Sequence, residues 1–270
     1  TDQIIGNGFF MSEFDFIFSQ GRIEEAFLKT YHHFPSQKII QMGNLWFRNM
    51  DELTQNIQIK SAGEQQKKKI LYAGGSDIHF PKETEFKAID FLLKAIKEGK
   101  IPLSKIVYRP IIYSKTELDK IFSRYANEEL VEISLAKMAC YGLYDYPENI
   151  TIREELINYL KEVRSTDLFI MSAGTSMCFD FVYHHIPIIS NCIDSEGILE
   201  RTGFSVTMNE DVCHVFPPGS VTVYAFEDLV EEVRKALIFK DERRLERNKR
   251  QLLRKWDYNV NDFQPILGAV

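Results

Sequence analysis

The chain has 270 residues, 44% of them hydrophobic and 27% charged, a composition typical of a globular protein long enough to bury a real core. Its formal net charge of −6 gives no general attraction to nucleic acid or to anionic lipid. No apolar run approaches the roughly 18 residues that a bilayer span needs, and the first ten residues lack the basic start of a signal peptide.

These features lead us to expect a cytoplasmic protein. The cysteines are Cys140, Cys178, Cys192 and Cys213. None forms a Cys-x-x-Cys pair, so we expect reduced, packed thiols and no metal. The chain starts without an initiator methionine and enters a strand-like run almost at once, which reads as one half of a longer protein.

In chain order, Phe14 to Phe18 reads as a strand, Ile23 to Tyr31 has helical spacing, and Lys38 to Met42 is a second short strand ending at Gly43-Asn44. Residues Asp51 to Lys69 are rich in Gln, Lys, Ser and Gly and read as a linker. From there strands alternate with amphipathic helices. Ile70 to Ala73 is a strand stopping at Gly74-Gly75. Glu83 to Glu98 is a helix with Phe86, Ile89, Leu92, Leu93 and Ile96 on one face, stopped by Gly99. Strands are expected at Lys105 to Tyr108, Leu130 to Ser134, Asp167 to Met171 and Pro187 to Ser190. Helices are expected at Thr116 to Ser123, Ile152 to Val163 and Thr175 to His184. Two more helices, Phe226 to Phe239 and Arg243 to Trp256, close the chain. The last carries Arg243, Arg244, Arg247, Lys249, Arg250, Arg254 and Lys255. This alternation predicts an α/β fold with a doubly wound parallel sheet, and ligands in such sheets bind beyond the carboxyl ends of the strands.

Three loops at those ends can carry chemistry. Gly74-Gly75-Ser76 follows a strand directly, and two glycines let a backbone approach a ligand closely. Ser172-Ala173-Gly174-Thr175-Ser176 offers small residues and hydroxyls where a helix begins, and free amides at such a start hold phosphate. No Lys follows the glycine, so the loop is not a Walker P-loop, and a pyrophosphate held by neutral donors fits it better. Arg109, in Tyr108-Arg109-Pro110 at the end of the second of these strands, can bind phosphate bidentately. Asp180 sits in an otherwise apolar helix, where a carboxylate needs partners or a proton. It can orient the Ser-Gly loop or accept ribose hydroxyls. Among the histidines, His79 follows the glycine loop and is the candidate base or phosphate donor.

Several segments, in order, resemble the GT-B glycosyltransferases of bacterial capsule and surface-polysaccharide synthesis. FDFIFSQGRIEEAFLKTYHHFPSQKIIQMGNLWF looks like the end of the N-terminal lobe of that family. KKKILYAGGSD looks like the first strand of the C-terminal lobe, and KIVYRPII like the strand ending in Arg-Pro-His-Pro. EVRSTDLFIMSAGTSMCFDFVYHHIPIIS resembles the segment that holds the nucleotide phosphates, and AFEDLVEEVRKAL the usual close. The chain has Arg109-Pro110-Ile111-Ile112 where the family has Arg-Pro-His-Pro, and so lacks a His that usually helps bind phosphate.

The resemblance implies two parts. Residues 1–66 would be the end of an N-terminal lobe and a linker, and residues 67–270 a Rossmann-like nucleotide-sugar-binding lobe. It implies metal-independent transfer of a sugar from a nucleotide-sugar donor to a glycan or lipid-linked acceptor, with no other cofactor. Gly74, Gly75, Ser76, Arg109, Ser172, Gly174, Thr175, Ser176 and Asp180 would hold the donor, and Glu196 would take ribose hydroxyls. A separate chain carrying the missing lobe, or a second copy, is an expected partner, and the basic last helix an expected contact with a membrane surface. Two other readings stay open: a sugar-nucleotide epimerase of the same architecture, such as the non-hydrolysing 2-epimerases, and a non-catalytic nucleotide-binding or partner subunit.

Overall fold

The computed structural model describes residues 14–19, 22–41, 45–54, 67–75, 80–135, 152–172, 175, 177–193 and 219–255. The chain divides into two compact units, residues 57–248 and residues 1–56 with 249–270.

The smaller unit begins with β1 (Ile17–Ser19), α1 (Arg22–Tyr31), a 3-10 turn at Ser36–Lys38 and β2 (Ile39–Gln41). β1 and β2 pair in parallel with Ile17 opposite Ile39, as a helical crossover requires. Leu28 of α1 and Phe34 are buried against those two isoleucines. Helix α2 (Leu45–Thr54) follows, so the linker read from Asp51 starts too early. Asp51 to Thr54 continue the helix because Phe47 and Met50, three residues apart, are both buried and anchor it. Residues 55–66 of that stretch lie outside the described residues.

The larger unit contains β3 (Lys68–Ala73), α3 (Lys82–Lys97), β4 (Ser104–Arg109), α4 (Lys115–Tyr125), β5 (Val131–Ile133) and α5 (Ile152–Arg164). It continues with β6 (Leu168–Ser172), α6 (Cys178–Tyr183), β7 (Ile188–Asn191), β8 (Val221–Val223) and α7 (Phe226–Ile238). Helix α8 (Glu242–Lys255) runs past the end of the unit at Asn248. Six strands form one sheet in the order β5-β4-β3-β6-β7-β8. Every neighbouring pair is parallel. Counted from β3, this is the 3-2-1-4-5-6 order of a dinucleotide-type Rossmann sheet. The short strand β8 was not anticipated, because three residues carry too little pattern to separate a strand from a loop.

Helices cover both faces of the sheet, which is why its central strands read as unbroken apolar runs. On one face Ile70, Tyr72, Ile106, Tyr108, Leu168, Ile170, Ile189 and Val223 share a core with α3, α4 and α7. The alternate residues face the other way, where Phe169 stacks on Phe181 of α6 at 3.9 Å between ring centres. Gly99 ends α3 at φ +69, with Lys100 donating back to the Ala95 carbonyl. Ser114 caps α4 by accepting the Glu117 amide at 3.2 Å.

Two expected features change. Helix α6 begins at Cys178, not Thr175. Hydroxyl residues compete with helix formation by bonding nearby backbone, and here Thr175 Oγ1 accepts the Met177 amide while its carbonyl accepts the Cys178 amide. In α8, Leu245, Asn248 and Leu252 are buried and Arg243, Arg247 and Arg250 are exposed. The burial of these three residues sets the inner face of the helix and leaves its basic residues on the outside. Among the described residues, no helix is long and apolar enough to cross a membrane, and no His, Cys, Asp and Glu cluster is arranged to hold a metal ion. Cys178 and Cys192 are both buried.

Candidate functional site at the carboxyl edge of the sheet

From β3 the chain winds outward to β4 and β5, and from β6 it winds the opposite way to β7 and β8. β3 and β6 are adjacent and the chain leads away from them in opposite directions, so the switch point of the sheet, where ligands of such folds bind, lies between their carboxyl ends. The register brings the strand ends level: Ala73 lies beside both Arg109 and Met171, and Ser172 beside Asn191. The loops after Ala73, Arg109 and Ser172 therefore leave the sheet side by side, as the sequence alternation implied.

The β3 side of the switch point is built on a buried charge. Glu85, in the first turn of α3, is fully buried. Its carboxylate accepts the Gly75 amide at 2.6 Å and the Tyr108 hydroxyl, and faces Lys82 Nζ at 3.5 Å. Lys82 also donates to the Gly75 carbonyl at 3.1 Å and lies 3.9 Å from Glu117. Burial pushes the Glu85 carboxyl above its ordinary range, against the opposing pull of Lys82 and its hydrogen bonds. The Gly74 amide donates to the Arg109 carbonyl at 2.8 Å. Both glycine amides are thus committed inside the protein. A Cβ at Gly74 would sit 2.7 Å from Glu85, and one at Gly75 would sit 3.2 Å from the Ser172 carbonyl. The space these glycines leave is filled by Glu85 and by β6.

A second network ties the strand ends together. The buried Tyr72 hydroxyl meets Ser172 Oγ at 3.0 Å and accepts from Asn191 Nδ2 at 2.7 Å, and Asn191 Oδ1 accepts the Ile193 amide. Ser172, read from sequence among the phosphate donors, has its hydroxyl committed to this link. Replacing Tyr72 with Phe leaves two buried polar groups short of a partner. The expected loss is about 1–3 kcal/mol of stability, read as a lower urea midpoint at unchanged slope.

Arg109 projects from the opposite face of β4, toward α5. Its guanidinium pairs with Glu162, lies 3.3 Å from Ser134 Oγ and sits 5.3 Å above the Tyr159 ring. The Tyr159 hydroxyl in turn donates to the buried Asp180 carboxylate of α6, which meets the need of a carboxylate in an apolar helix. Burial, with Asp180 close by, raises the Tyr159 hydroxyl well above its ordinary range and keeps it a donor. The helix between them therefore joins Arg109 and Asp180, two residues singled out from sequence. Among the described residues, the Arg109 Nε is buried without a partner. Thr175 is partly exposed in the turn before α6. Ser76, His79, Gly174, Ser176 and Glu196 lie outside the described residues.

Glu85, Lys82, Tyr159 and Glu162 were missed from sequence. Glu85 left a legible signal: it falls in helical phase with Ile89, Leu92 and Ile96, a charge on the apolar stripe. Tyr159 and Glu162 left none, since a Tyr and a Glu three apart on a half-buried helix are ordinary.

The six-stranded parallel sheet, its strand order and the helices on both faces match a Rossmann-like lobe of the GT-B fold. The wall teichoic acid polymerase TagF is similar in structure at a TM-score of 0.50 and 14% identity, over 90% of this chain and 54% of that one. Its H548A variant gives 0.50 and 15%, over 94% and 55%. The Methanocaldococcus jannaschii UDP-GlcNAc 2-epimerase with UDP-GlcNAc and UDP gives 0.48 and 15%, over 89% and 61%. The chain spans about half the length of the polymerase chains it matches. No family model matches the sequence, and no curated protein matches it.

Proposed function

We propose that this chain carries the donor-binding half of a nucleotide-sugar-dependent glycosyltransferase acting in surface-polysaccharide synthesis. The observation that carries this reading is the level alignment of Ala73, Arg109 and Met171, one residue before Ser172, beside the β3/β6 switch point. The turn at 173–176 would present its amides and hydroxyls to the diphosphate, and Arg109 its positive charge.

In the reaction, the bond between the anomeric carbon and the phosphate oxygen breaks, and its electron pair stays on the diphosphate. The acceptor hydroxyl oxygen bonds the anomeric carbon and gives its proton to a base on the acceptor-binding lobe. This half would stabilise the charge that develops on the leaving phosphate. The glycan or lipid-linked acceptor, a partner chain and a cytoplasmic site of action belong to the same proposal.

A second reading, a non-catalytic partner subunit with no donor site, is favoured by one observation: Arg109 is already paired with Glu162. Thermal unfolding across UDP-, CDP-, GDP- and CMP-linked sugars separates the two. A donor site raises the midpoint with one or more of them; at a hundred times Kd the gain is about 2.7 kcal/mol. A flat response to all of them favours the partner role.

A further inference from the structure

We propose that Glu85 is a positioning residue of the donor site, clamping the Gly74–Gly75 turn as the fixed β3 side of the switch point. This rests on the donor-site reading above. The turn is gripped at each of its polar backbone groups that has a partner here. The Gly74 amide is held by the Arg109 carbonyl, the Gly75 amide by Glu85 and the Gly75 carbonyl by Lys82. Both gripping side chains come from the first turn of α3 and are almost wholly buried, so the turn cannot shift unless they do. On its far side the turn lies against Ser172, the last residue of β6, and against Phe80. A displaced Gly75 would therefore move the boundary between the β3 and β6 loops, where a diphosphate would lie.

A buried carboxylate also has a cost that a plain strand-to-helix turn does not require, since an ordinary cap from Ser or Asp would satisfy one amide at the surface. The groups facing Glu85 are Lys82 from its own helix, Tyr108 from β4, Tyr72 from β3, and Tyr125 from α4, with Glu117 of α4 beyond Lys82. Burial raises all three tyrosine hydroxyls above their ordinary range and keeps them neutral. Three donors bond or face the Glu85 carboxylate, the Gly75 amide, the Tyr108 hydroxyl and the Lys82 ammonium, and together they fix its geometry.

The test compares Glu85→Gln, which keeps an acceptor oxygen for the Gly75 amide and turns an N–H toward the Tyr108 hydroxyl oxygen, with Glu85→Met, which has the length and no acceptor. Binding of UDP, CDP and GDP is measured by calorimetry at a temperature where unfolding curves show each variant folded. The expected result is at least about a tenfold loss of affinity in the Met variant, and rescue by Gln to within about threefold of the parent protein. If the Met variant does not fold, Tyr108→Phe, which loosens the carboxylate without touching the turn, is expected to lose about threefold or more. Parental affinity in a folded Met or Phe variant overturns the clamp and leaves the donor site standing. A parent protein that binds none of the three nucleotides overturns the donor site, and the clamp with it.

Discussion

Replacing Lys82 with Met is expected to lower stability at pH 8 by about 3 kcal/mol, or roughly 6–12 °C in the unfolding midpoint. Lys82 is the cation facing the fully buried Glu85, at 3.5 Å, and it also satisfies the Gly75 carbonyl. Without it Glu85 must stay charged and unpaired or take up a proton, and either course costs folding free energy at neutral pH.

The sign with pH follows from the direction of the shift. Burial already raises the folded Glu85 above its ordinary value of 4.5. A raised carboxyl contributes stability that is complete below the unfolded value and is lost as pH rises through the folded one. Removing Lys82 raises the carboxyl further. The deficit of the Met variant should therefore be small near pH 4 and grow toward pH 8. Adding Glu85→Gln to Lys82→Met should recover most of the deficit at pH 8, because a neutral amide needs no counterion. Equal deficits at both pH values would show that Lys82 acts through packing and its carbonyl bond alone.

Replacing Arg109 with Ala is expected to weaken nucleoside diphosphate binding roughly ten- to a hundredfold, the worth of one or two charge-assisted hydrogen bonds. The competing fact is that the guanidinium already pairs with Glu162 and covers Tyr159. Loss of Arg109 would also strand a half-buried carboxylate, so a fall in stability alone proves nothing about the ligand. Glu162→Gln resolves this. It leaves the guanidinium in place and removes its rival anion, so a phosphate-binding Arg109 should then bind about threefold tighter or more. A structural Arg109 would give lower stability in Glu162→Gln with no gain in affinity. Calorimetry on both variants distinguishes the two outcomes.

Much of the fold was legible because local pattern determines it. The period-3.6 stripe of α3 and the apolar runs of β3, β4 and β6 each name their element, and their alternation implies parallel strands. The position of the switch point was not legible, since β3 pairs with β6 across nearly a hundred residues and nothing local records that. Arg109 and the loop after Ser172 could be singled out because strand ends are where such sheets bind ligands. Reading Gly74 and Gly75 as room for a ligand overlooked the neighbours that occupy that room, Glu85 and the Ser172 carbonyl. A single sequence shows that a side chain is missing and does not show what stands in its place.

The most direct measurement is a hydrogen-exchange footprint of the protein with and without the nucleotide sugar that stabilises it best. A donor held at the switch point should slow exchange in peptides leaving the carboxyl ends of β3, β4 and β6, around residues 72–80, 109–113 and 171–178. It should leave the amino ends of those strands unchanged. Protection confined to the amino ends, or no protection at saturating ligand, would contradict the account.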